Sequence, residues 1–270
     1  MNRNQRLPIK YPLLFIYLFS ILIALLTTIT SLGGIFYSSI IYPDEQLAQN
    51  FLTTDVLNLI LGLPVLLLSM LLTLRGKTFG LLFWPGSIMF LLYHFIAYVF
   101  GMPLSWVFLI YLVILVMSVY TLIGLVAVID GEKVKQILTG KMSIQFSGWV
   151  LFIFGMLFSL KVVGDISNDL LGIKNLAVNE FPVLMADFIL CPAWFIGGFL
   201  MIKKKTFGYT VGTGLLLQGT MLFLGLMIYF ILNPILTGAD FLLSDLIVIS
   251  IMGLVFFIPF ILNIIGIIKR

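Results

Sequence analysis

The sequence predicts an all-α fold: a polytopic transmembrane helical bundle of eight spans, built as two parallel four-helix repeats. Three observations predict it. The composition is too apolar for a water-soluble domain, eight apolar stretches have span length, and the two halves match without gaps at an offset of 128 residues.

Of 270 residues, 61% are hydrophobic and 10% charged, and the mean hydropathy is +1.21. A soluble domain carries about 25% charged and about 45–50% apolar residues. A fold of this size in water could not hide so much apolar surface, so the expected surroundings are a lipid bilayer. Cys191 is the only cysteine and His94 the only histidine. An intrachain disulfide, a CxxC pair, a cysteine zinc cage and the HExxH pattern are therefore excluded. No metal or cofactor is expected. The net charge of +4 is carried by residues that flank the spans. It reads as orientation in the bilayer, and no nucleic acid partner is expected.

A span needs about 20 mostly apolar residues, because the hydrocarbon core is about 30 Å thick and a helix rises about 1.5 Å per residue. The stretches run 12–40, 55–74, 79–100, 104–129, 147–163, 182–202, 207–232 and 243–267. Their apolarity is continuous, as in Val56–Leu74, without the alternation a barrel strand requires. Backbone in hydrocarbon must satisfy its own hydrogen bonds, so they are helices. The first follows Arg3, Arg6 and Lys10, as a signal peptide would, but the run is far longer than a signal h-region and reads as a retained span. The fifth is the weakest, and reaches span length only through the polar Ser143, Gln145 and Ser147. The longest outer loop is expected at 164–181.

With both termini in the cytoplasm, Arg3, Arg6, Lys10, Arg75, Lys77, Lys133, Lys135, Lys141, Lys203, Lys204, Lys205, Lys269 and Arg270 lie inside. These are 13 of the 15 basic residues, leaving Lys161 and Lys174 outside. Such a bias predicts a multi-pass protein of the cell membrane with cytoplasmic ends. Nine of the eleven acidic residues fall toward the outer side.

At the offset of 128, Pro64 falls on Pro192, and Lys77-Thr78-Phe79-Gly80 on Lys205-Thr206-Phe207-Gly208. Gly86 falls on Gly214 and Phe95 on Phe223. Residues 1–130 then form one four-span repeat and 143–270 the other, joined by a cytoplasmic linker, 131–142. An even number of spans makes the repeats parallel, about an axis along the membrane normal. The KTFG blocks read as tight turns and lack Walker spacing.

Three stretches carry a resemblance. They are Asp55-Val-Leu-Asn-Leu-Ile-Leu-Gly-Leu-Pro64, the aromatic run Tyr93-His-Phe-Ile-Ala-Tyr98 with Phe100-Gly101, and Asp187-Phe-Ile-Leu-Cys-Pro192-Ala-Trp. On them the chain resembles a family of uncharacterised prokaryotic multi-span membrane proteins, over most of its length beyond span 1. The resemblance implies an eight-span fold and no activity. An asparagine is usual near His94 in that family, so a role for His94 would be particular to this chain.

Ionisable groups inside spans are costly and are site candidates by default. Asp187 leads, a few residues inside span 6 and ahead of Pro192. Asp55 opens span 2 ahead of Pro64, where capping with Thr53 and Thr54 and a site role are both open. Asn58, Tyr93 and His94 share the outer half with the two aspartates, and Gln218 lies near mid-membrane. Trp84, Trp106, Trp149 and Trp194 read as an aromatic belt. The leading expectation is binding or transport of a small solute, cation or proton at a pocket of Asp187, Asp55, Asn58, His94, Tyr93 and Gln218. A non-catalytic scaffold or accessory subunit, packed on a membrane protein partner or a second copy of itself, is the alternative. An intramembrane enzyme acting on a lipid-like substrate, with Asp187 and His94 as acid and base, comes third.

Overall fold

The structure, a computed structural model, describes residues 7–140, 143–173, 175–177 and 180–268. Of the residues used for the charge bias, Arg3, Arg6, Lys141, Lys174, Lys269 and Arg270 lie outside this set, as do the last two residues of the linker.

Eleven α-helices follow one another: α1 (Leu14–Phe36), α2 (Ser38–Ile41), α3 (Glu45–Leu57), α4 (Leu63–Leu74), α5 (Thr78–Gly101), α6 (Trp106–Val128), α7 (Gly131–Leu138), α8 (Ile144–Leu170), α9 (Phe181–Ile202), α10 (Thr206–Thr237) and α11 (Leu243–Ile268). A π-helical turn, Asn58–Gly62, joins α3 to α4 into one continuous span. Among the described residues eight helices are long and apolar enough to cross a membrane, and the chain is a multi-pass membrane protein surrounded by lipid. Among the described residues the only β pairing is one isolated bridge, Ile9 to Ile129.

The second span begins ten residues before its apolar stretch, at Glu45. Asp44 caps it by accepting from the Leu47 amide at 2.8 Å. Asp55 is therefore no cap. It lies about 15 Å along the helix from its start at 1.5 Å per residue, and is 1% exposed. The fifth span does begin in the polar stretch. Ser147 is buried against Asn263, whose Nδ2 donates to the Ser147 hydroxyl at 2.7 Å, while its Oδ1 accepts from the Ser143 amide at 3.1 Å. That span continues to Leu170, helped by a Lys161–Asp165 pair one turn apart at 2.7 Å. The outer loop after it is thereby shorter than expected.

The helix ends alternate between two sides. Eight of the nine described basic residues lie at one side, with Lys161 the exception. Here the N-terminal segment pairs with the end of α6, Lys10 N–H donating to Val128 O and Asp130 N–H to Pro8 O. Asp130 caps α7 through the Lys133 amide and also pairs with the Lys133 ammonium at 3.1 Å. These contacts hold the Asp130 carboxyl below the usual carboxylate range. The small helix α7 buries Val134 and Leu138, and its Glu132 accepts from Thr206 at 2.7 Å.

Helices α5 and α10 form the centre, flanked by the α3–α4 span on one side and α9 on the other, with α1, α6, α8 and α11 at the periphery. Lipid gives helices no hydrophobic drive to associate, so close packing must hold them, and small residues permit it. Gly86 of α5 and Gly214 of α10 bring the two backbones into direct contact. The helices α8 and α9 meet likewise through Gly148, Gly155 and Gly198.

The two KTFG turns close with the same hydrogen bonds. Lys77 N–H donates to Leu72 O and Lys205 N–H to Leu200 O, both at 2.9 Å; Gly76 donates to Thr73 and Lys204 to Met201, again at 2.9 Å. The residue before each block sits in the left-handed region, Gly76 at φ 74° and Lys204 at φ 51°. Glycine adopts that conformation freely and lysine does so at a cost.

Only two of the four tryptophans have the exposure a belt position requires. Trp106 and Trp149 are 85% and 51% exposed, but Trp84 and Trp194 are buried. Trp84 donates to Ser20 of α1 at 3.0 Å. An indole that finds a polar partner can enter the core with its large apolar ring.

Candidate functional site

On the side opposite the lysine turns, a cavity of about 290 Å³ lies between α3, α5, α9 and α10, with Phe158 of α8 in its wall. Each helix contributes a stripe at helical spacing. From α3 come Asn50, Thr54 and Leu57; from α9, Val183, Asp187, Cys191 and Trp194; from α10, Gln218, Leu222, Gly225 and Tyr229; from α5, Tyr93, His94 and Ala97. Residues i, i+4, i+7 and i+11 share one helix face, so these stripes run the length of the cavity.

Four of the six candidate residues line it: Tyr93, His94, Asp187 and Gln218. Asp187 lies about 9 Å from the start of α9, at 1.5 Å per residue. Its Oδ1 accepts from the Tyr93 hydroxyl at 3.0 Å, and the Cys191 thiol points to the same oxygen from 4.0 Å. Its Oδ2 makes no protein hydrogen bond among the described residues. At the inner end, Trp194 Nε1 donates to Gln218 Oε1 at 2.5 Å. Gln218 is fully buried, and its Nε2 has no protein partner. Two N–H groups are thus left without an acceptor at the floor of the cavity.

Asn58 stands behind this wall. Its Oδ1 faces His94 Nδ1 at 2.7 Å and its Nδ2 faces the Ser31 hydroxyl at 3.5 Å. With the amide oxygen toward the ring, Nδ1 donates. Nε2 then carries the lone pair and is an acceptor. Asn58 is also the first residue of the π-turn, one of the wider helical turns that recur at functional sites.

Asp55 belongs to a separate cluster. Its carboxylate accepts from Tyr42 on one oxygen and from Tyr98 on the other, the latter at 2.8 Å. Gly34 of α1 leaves the space the carboxylate fills. Phe51 stacks on Tyr98, ring centroids 4.8 Å apart, and stands between this cluster and the cavity it also lines. The expected six-residue pocket is therefore two sites, with Asn58 touching the first from outside.

Several lining residues carried no sequence signal. Asn50 and Thr54 sit in the polar start of α3, outside the predicted span. Cys191 and Trp194 had other readings, and Tyr229 and Phe158 had none. Only the spacing of Asp187, Cys191 and Trp194 along one face could have grouped any of them. Among the described residues no group of three or more His, Cys, Asp or Glu side chains could hold a metal ion. No protein-family model, no curated protein and no solved structure matches the chain.

Proposed function

We propose that this chain binds a small solute in the cavity of Asp187, Tyr93, His94 and Gln218 and passes it across the membrane. The observation that carries the reading is the convergence of four polar side chains, from three separated spans, on one cavity inside an otherwise apolar bundle. Polar groups at membrane depth are expensive, and where they face a cavity they mark solute and ion paths. A volume of about 290 Å³ lies at the small end of the range for small-molecule sites. The test is flux in proteoliposomes, with a panel of radiolabelled small solutes and a pH-sensitive dye for protons. Whatever flux the native chain carries is expected to fall at least about tenfold in Asp187→Asn, since a removed buried charge partner is worth well over 1.4 kcal/mol. Equal flux in the variant, or none in the native chain, removes the transport reading.

The same proposal includes two parallel repeats with the lysine turns in the cytoplasm. Its support is the matching hydrogen bonds of the two KTFG turns, their left-handed residues at equivalent positions, and the contact of Gly86 with its own equivalent, Gly214. A residue that touches its counterpart lies on a two-fold axis relating the repeats. The cavity then opens away from the cytoplasm. In a Cys191→Ser background, Lys77→Cys and Lys205→Cys are expected to react with a membrane-impermeant maleimide only from inside right-side-out vesicles. Labelling of the two from opposite faces overturns both the orientation and the repeat.

A further inference from the structure

Resting on the cavity reading above, we infer the class of its occupant: a small organic amine, with its ammonium at Asp187 and His94 and an apolar body reaching toward Gln218. Three features of the wall select it.

The first is charge. Among the described residues no lysine or arginine lines the cavity, and Lys161 of α8 is paired with Asp165 at 2.7 Å. Lys161 is near enough to act on Asp187 through space, but it makes no ion pair with it among the described residues, and the contacts of Asp187 there are the Tyr93 hydroxyl and the Cys191 thiol. A carboxylate without a cation in a low-dielectric site is costly, and a bound cation offsets that cost. Asp187 Oδ2 is an acceptor, and so is His94 Nε2 when Nδ1 donates to Asn58, so a group that meets either of them must be a donor. An anion finds no counter-charge among the residues that line the cavity.

The second is shape and lining. A bare hard cation takes six or more oxygen ligands, and the cavity lining supplies a single carboxylate. Most of the remaining wall is apolar, with Phe51, Phe158, Leu222 and Phe223, and Asn50, Thr54 and Tyr229 are its further polar members. Such a wall suits hydrocarbon, and the tyrosine and phenylalanine rings also attract an ammonium through their faces.

The third is the far end. Asp187 and Trp194 are seven residues apart on one face of α9, so the carboxylate and the Trp194–Gln218 pair lie about 10 Å apart along the helix. The unpartnered Gln218 amide donates toward an acceptor on the ligand. The cavity thus reads as a donor-seeking end, an apolar middle and an acceptor-seeking end.

The test is calorimetric titration of the full chain in lipid nanodiscs with three probes of similar shape: 2-phenylethylamine, 2-phenylethanol and 3-phenylpropanoate. The amine is expected to bind at least tenfold tighter than the alcohol, and the carboxylate not at all. In Asp187→Asn, which keeps the side-chain shape, the amine should fall to the level of the alcohol. Unchanged alcohol affinity shows that the variant is folded. A para-methoxy group on the amine, which adds an acceptor at the far end, should tighten binding further. If amine and alcohol bind the native chain equally, and the space-filling Leu222→Trp abolishes both, the cavity is a ligand site but the amine assignment fails. If none of the probes binds, both fail.

Discussion

Replacing Gly86 by leucine is expected to leave no folded protein. A Cβ at this position meets the carbonyl and Cα of Gly214 on the facing helix, which are backbone atoms and cannot rotate aside. Even alanine must push α5 and α10 apart, at about 1–3 kcal/mol for overpacking. Leucine adds three more carbons at the same point. These two helices form the centre of the bundle, so their separation disturbs the packing of their neighbours as well. Gly214→Ala should cost less, since a Cβ there meets its nearest atoms at 3.2 Å. Gly164→Leu is the control, on the outer part of α8 with nothing within 4 Å. Detergent-extracted variants run on size exclusion and melted by fluorescence give the readout. The expected order of loss is Gly86→Leu, then Gly86→Ala, then Gly214→Ala, with Gly164→Leu near native. A monodisperse Gly86→Leu melting with the native chain would mean that these helices do not cross there.

The second large effect is expected at Asp55. Substitution by alanine strands the hydroxyl of Tyr42 and leaves that of Tyr98 only the distant Phe51 carbonyl at 3.5 Å, both being buried and both donating to this carboxylate. A buried donor left without its acceptor costs about 1–3 kcal/mol, a large share of the stability of a typical domain, about 5–15 kcal/mol, and the weakened Tyr98 bond adds to it. Tyr42 precedes α3, and its bond to Asp55 ties the connection between the first two spans onto the bundle. Loss of the bond should therefore expose that connection to protease, besides lowering the melting temperature. Asn should lose less than Ala, since its oxygen still accepts one of the two bonds. Gly34→Ala should also destabilise, because its Cβ would occupy the carboxylate's place. In an Asp55→Ala background it should cost less, a non-additivity expected of groups in contact. Native-like melting and protease resistance in Asp55→Ala would remove the structural role and return this carboxylate to the list of functional candidates.

The fold was legible because its signal is redundant. Most residues of each span are apolar, and misreading a few changes nothing. Where the sequence reading slipped, it slipped at polar residues within or beside spans. Glu45–Thr54 falls outside the predicted span because its composition is polar, yet it is helix, capped by Asp44 and facing Asn233 and the cavity. Trp84 and Trp194 were taken for belt residues because their partners, Ser20 and Gln218, lie 64 and 24 residues away in the chain. Asp55 and Asp187 share depth and chemistry and were grouped together. Three residues of phase decide otherwise: Asp55 faces α1 and Tyr98, while Thr54 and Asn58, on either side, face the cavity and His94.

The chain's composition and hydropathy pattern alone determined the membrane class, the number of spans and the polar residues that could matter. These follow from transfer free energies that add residue by residue and need no knowledge of neighbours. Which of those polar residues meet was decided only in three dimensions. The rotation of each helix about its axis depends on packing against partners distant in sequence, and a turn of about 100° moves a side chain from a cavity to a neighbouring helix or to lipid.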